Sequence, residues 1–148
     1  NKLEMKKVLI LFAIIAGLAV SCKGETSKSN TEAKVLDPYT MEGVMAVHDE
    51  IMPKMGQMAK LSSALKPLAD SSPKGPEAKA IENLKVAHEA MMTWMKEIGD
   101  TFTHEEIMKG AALSDEKKEA LRIEADKIAE VKRLMLESIT NAEALLRK

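Results

Sequence analysis

Residues 114–146 read SDEKKEALRIEADKIAEVKRLMLESITNAEALL. Ser114 offers a hydroxyl that caps a helix, and Asp115 and Glu116 put negative charge at the positive end of its dipole. Behind them Leu121, Ala125, Ile128, Val131, Met135, Ile139, Ala142 and Leu146 recur every three or four residues. That period places them on one side of an α-helix. No Gly or Pro interrupts the stretch, so a single long helix is expected.

An apolar stripe of this length needs partners, and two further stretches supply them. From Met41, behind a Thr40 cap, Met41, Val44, His48, Ile51, Met55, Met58 and Leu65 keep the same spacing, with Ser62 in one slot. Pro53 removes the donor to the Asp49 carbonyl. The stripe continues in phase beyond it, which predicts a kink rather than a stop and a helix end around residues 67–69. Asp70, two serines, Pro73, Lys74, Gly75 and Pro76 then follow without an apolar side chain that could pack, and form a loop. Pro76 suits the first turn of the next helix. The stripe there is Ile81, Leu84, His88, Met91, Met95 and Ile98, closing at Gly99 and Asp100. Residues 101–113 are ambiguous, with a short helical turn at 104–108. The expected fold is all-α: an up-down-up antiparallel three-helix bundle over residues 39–148.

Composition excludes several alternatives. Aromatic residues are 3% of the chain, too few for a β-sandwich or a base-stacking platform. Lys and Arg total 22 against 23 Asp and Glu, so no field of either sign draws in nucleic acid. A single Cys forbids an intrachain disulfide, a four-thiolate zinc site and a CxxCH haem attachment. A length of 148 residues allows one domain.

The N-terminal segment reads as an address. Met5, the expected start, is followed by Lys6 and Lys7 and then by an uncharged apolar run over residues 8–20. The run has the length of a signal-peptide core and falls short of the roughly 20 residues a spanning helix needs. It ends Leu18-Ala19-Val20-Ser21-Cys22, which looks like a lipobox. On this reading residues 1–21 are a removed signal peptide and Cys22 takes a diacylglycerol. Residues 22–38 are then the lipidated cysteine and a flexible tether, because 23–34 (KGETSKSNTEAK) hold no apolar periodicity.

No Gly-rich phosphate loop and no GxSxG elbow is present. A His-Glu-x-x-His zinc helix fails because Met92 and Met108 stand four residues after His88 and His104. The Glu-x-x-His pair of di-iron bundles fails as well, with Met45, Lys85 and Thr101 three residues before the histidines. The chain is therefore read as a non-enzyme.

One constellation stands out. Each histidine has a methionine four residues later: His48–Met52, His88–Met92 and His104–Met108. On a helix that spacing puts both side chains on one face. Folding the first helix back on the second sets His48 level with Met95 and His88 level with Met55, the two histidines about 13 Å apart. Imidazole with thioether is a soft ligand set suited to Cu(I), which gives two candidate sets: His48 with Met52 and Met95, and His88 with Met92 and Met55. The competing account is that Met fills gaps in a core poor in aromatics, the histidines then lying at its boundary with Asp49 and Glu89 pointing elsewhere. His–Met haem ligation needs more apolar width than three helices offer.

The block HDEIMPKMG, residues 48–56, and AHEAMMTWM, residues 87–95, together with KIAEV at 127–131 and MLESI at 135–139, resemble a group of small Bacteroidota lipoproteins. Some of that group carry the label "viral A-type inclusion protein". The resemblance implies a helical domain anchored in the cell envelope and assigns no activity. The combined expectation is a lipoprotein of the outer membrane facing the periplasm. Its partners would be the lipid bilayer and another envelope protein or a second copy of itself. Met45, Met52 and Ala59 widen the apolar side of the first helix, and Met45 and Met52 are candidates for a partner-binding strip.

Overall fold

The structure, a computed structural model, describes residues 36–147. The expected signal segment, Cys22 and the tether as far as residue 35 lie outside the described residues. All regular structure among the described residues is helical: α1 (Met41–Ile51), α2 (Lys54–Ser71), α3 (Pro76–Thr101), α4 (His104–Met108) and α5 (Asp115–Leu146).

The caps fall on the residues whose side chains suit them. Thr40 Oγ1 accepts from Gly43 N at 3.1 Å and itself donates to the Asp37 carbonyl at 2.8 Å. Asp37 Oδ1 accepts from Tyr39 N, so Asp37 and Pro38, expected at the end of the tether, belong to the folded turn that starts α1. Ser114 caps α5 by accepting from Lys117 N. Thr103 and Glu106 form a reciprocal capping box on α4.

Pro53 divides the expected first helix into α1 and α2. Met52 and Pro53 both stay in the right-handed helical region, at φ −55°, ψ −41° and φ −61°, ψ −22°. The chain thus bends without reversing, and Met55 N reaches back to the Met52 carbonyl at 3.2 Å in a tighter turn. Two helix ends lie later than the sequence predicts. α2 runs through Pro67 to Ser71, because Leu65 and Ala69 are buried on one face on either side of it. α3 runs through Gly99 to Thr101, because Ile98 and Phe102 both reach the core.

One apolar core collects residues from every long helix: Val44 and Ile51, Met58 and Leu65, Leu84 and Trp94, Ile128 and Met135 among them. Full burial of each such side chain contributes about 1.5–3 kcal/mol. The α5 stripe is buried from Leu121 through Ala142, whereas Leu146 is exposed. The α3 stripe needs correction. Its buried line is Ala80, Leu84, Ala87, Met91, Trp94 and Ile98; Ile81 and Met95 flank it, and His88 is exposed. α3 packs on both α5 and α2, and α1 lies principally against α5. Polar pairs tie the helices together: Tyr39 to Asp126, Glu50 to Lys132, Gln57 to Glu143 and Glu97 to Lys127.

Candidate functional site

Of the two predicted soft-donor sets, the structure gives each histidine different surroundings. The His48 ring stacks on Trp94 with centroids 5.7 Å apart and planes 28° from parallel. Its side chain is 16% exposed, and Nδ1 donates to Asp49 Oδ1 at 2.9 Å. Asp49 therefore turns back to its neighbour, contrary to the expectation that it points elsewhere. Met95, which helical spacing sets level with His48, follows Trp94 in the chain and lies half-buried beside the core. Met52 and Met45, the candidate partner strip, are both half-buried, Met45 against the core.

His88 lies in a crevice between α2 and α3 with Met58, Ala59, Ser62, Leu84 and Lys85. Met55, its predicted level partner, is not among these. Met92 is 49% exposed one turn along α3. Among the described residues no group of three or more His, Cys, Asp or Glu side chains could hold a metal ion.

A groove of about 520 Å3 lies on the other side of α3, between it and α5. Its floor is Ala90, Trp94, Val131 and Leu134, and its rim is Thr93, Glu97, Asp126, Lys127 and Glu130. Helical spacing builds it: Ala90, Thr93 and Glu97 stand on one face of α3, and Lys127, Glu130 and Leu134 on one face of α5.

Ion pairs order the rim. Lys127 Nζ bridges the two helices, donating to Glu97 Oε2 and Glu124 Oε1, each at 2.8 Å. Glu124 and then Glu97 hold the lysine pKa above its ordinary value. Beneath it, Trp94 Nε1 donates to the Glu124 carbonyl at 3.1 Å. Glu124 is itself buried, and its Oε2 has no hydrogen-bond partner among the described residues. Glu130 is gripped by Arg133, which lowers the carboxyl pKa. Arg133 also donates to Glu137.

Sequence reasoning missed this groove. Trp94 carried the one usable signal, as the lone large aromatic four residues from Ala90 and three from Glu97. Comparison of the chain with family models, with curated proteins and with solved structures finds no match in any of the three.

Proposed function

We propose that this is a lipid-anchored envelope protein, held through acyl groups on Cys22 to an outer membrane and facing the periplasm, whose helical domain binds a partner protein and catalyses no reaction. The domain is read as an up-down-up antiparallel three-helix bundle, α1 and α2 forming its first, bent member. Support comes from the order of the contacts. Tyr39, Glu50 and Gln57 meet Asp126, Lys132 and Glu143, rising together along both helices. The link of four residues, 72–75, between α2 and α3 is short, and the two helices pack on each other, as antiparallel neighbours do.

The observation that carries the binding role is the α3–α5 groove: an apolar floor left open on the outside of a packed core, with a polar rim. The ion-pair partners of Lys127 and Glu130 hold the lysine pKa up and the carboxyl pKa down, so both stay charged, as charge recognition at a rim requires. The resemblance to small Bacteroidota lipoproteins agrees with the anchor.

The test has two arms in living cells. Cys22→Ala is expected to move the protein out of the membrane fraction and to abolish lipid labelling. A photo-crosslinking residue at Thr93, on the groove rim, is expected to trap a protein adduct that the same residue at exposed Ser63 does not. Equal trapping at both positions, or none at Thr93, removes the interaction role.

A further inference from the structure

We propose that the α3–α5 groove receives an amphipathic helix of a partner protein, one whose apolar stripe is flanked by Lys or Arg. The inference rests on the interaction reading above and names the chemistry of the partner.

Shape supplies the first argument. Val86, Ala90, Thr93 and Glu97 recur on α3 at steps of four, three and four residues, and Ile123, Lys127, Glu130 and Leu134 repeat those steps on α5. The lining runs over residues 90–97 of α3 and 126–134 of α5, a trough about two turns, or ~11 Å, long. A helix fills such a trough with anchors at i, i+3 or i+4, and i+7. Val86 and Ile123, 45% and 52% exposed, stand one helical turn before Ala90 and Lys127 on the same helix faces.

Charge supplies the second. Counting the rim and its immediate ion-pair partners, Glu97, Glu124, Asp126, Glu130 and Glu137 stand against Lys127 and Arg133, an excess of three carboxylates. Residues 36–147 hold 20 Asp and Glu against 15 Lys and Arg, so three of the domain's five excess carboxylates stand at this groove. Lys127 is already shared between Glu97 and Glu124, so the two carboxylates have one cation between them among the described residues. The groove therefore attracts cations at its rim and repels an anionic membrane surface. A second copy fits poorly: the outward face of α2 sets Lys60 among Gly56, Ser63 and Ala64, too little apolar bulk to fill the floor.

Trp94 is the only tryptophan in the chain and lines the groove, so its emission reports occupancy. The lipidated protein in phosphatidylcholine vesicles is titrated with a tryptophan-free helical peptide of about four turns, leucine along one stripe and lysine elsewhere. A saturable change in Trp94 emission is expected, weakening with added salt. The same peptide with glutamate in place of lysine is expected to leave the emission unchanged. Asp126→Lys with Glu130→Lys, exposed positions whose helicity is checked in parallel, is expected to weaken binding about tenfold or more. Glu119→Lys, on α5 outside the groove, is expected to bind as the parent does.

No emission change, equal binding of the glutamate peptide, or indifference to Asp126→Lys with Glu130→Lys overturns the proposal, as does a crosslink through Thr93 to a second copy. An adduct at Thr93 in cells alongside failure of the lysine peptide retains the interaction domain and overturns this partner chemistry.

Discussion

Gly43 lies one turn into α1, where the chain doubles back from Asp37. A Cβ at this position would stand 2.0 Å from the Asp37 carbonyl oxygen and 2.9 Å from its carbon, both backbone atoms. Alanine ordinarily improves a helix interior by up to about 1 kcal/mol over glycine. Here the capping turn has to move, and overpacking of this kind costs about 1–3 kcal/mol. Gly43→Ala is thus expected to destabilise the domain, in chemical denaturation, while Gly56→Ala and Gly99→Ala stabilise it by about 0.5–1 kcal/mol. Those two glycines are exposed and have nothing within 4 Å of a Cβ. Gain at all three positions would show that the Asp37 turn yields freely. Single residues also explain the misplaced histidine. The predicted α3 stripe follows the large side chains Ile81, His88 and Met95, whereas the buried line one residue earlier runs through Ala80, Ala87 and Trp94. Alanine buries well but carries little hydrophobic signal of its own, so the two faces merge in the sequence pattern.

α4 shows how a short element is held when it brings no fully buried residue of its own. Thr103 N donates to Glu106 Oε2 at 2.8 Å, and Lys117 Nζ of α5 donates to the same oxygen at 2.6 Å. The Lys117 bond first, and the Thr103 backbone bond second, lower the Glu106 pKa below its ordinary 4.5. A carboxyl lowered by folding stabilises the native state above its unfolded pKa, and that contribution fades as pH falls through the folded value. Glu106→Gln is accordingly expected to unfold at lower temperature than the parent at neutral pH, with the gap closing well below pH 4.5. A gap that stays constant with pH would locate the effect in packing rather than charge. Element ends of this kind are legible in sequence because a cap is local: Thr40, Pro76 and Ser114 each mark a helix start within a few residues. Pro67 and Gly99 mislead for the complementary reason. Their local bias toward stopping is outweighed by buried partners on either side, Leu65 with Ala69 and Ile98 with Phe102.

At the scale of the molecule, helix content follows from periodicity but the register between helices does not. His88 shares a crevice with Ala59 and Ser62, and His48 stacks on Trp94. Both outcomes depend on how the helices slide and turn against one another, which no spacing within one helix records. The α3–α5 groove shares that origin, since Glu97 and Lys127 become neighbours only after α3 and α5 pack. What the packing does fix is cooperativity. α1, α2, α3 and α5 all contribute to one contiguous core, and Trp94 sits within it, bonded to the Glu124 carbonyl and stacked on His48. Melting of the helices and exposure of Trp94 should therefore be a single event. Leu84 and Ile128 lie on different helices and are 2% and 1% exposed, so Leu84→Ala and Ile128→Ala each leave a cavity costing about 2–5 kcal/mol. For a domain of this size, such a loss lowers the thermal midpoint by at least about 6 °C. Circular dichroism at the helical band and Trp94 fluorescence are expected to report the same midpoint in the parent, and the same shift in each variant. Helical signal that persists after Trp94 becomes exposed would mean that part of the molecule holds without the common core, and the groove would then be set by fewer contacts than the packing implies.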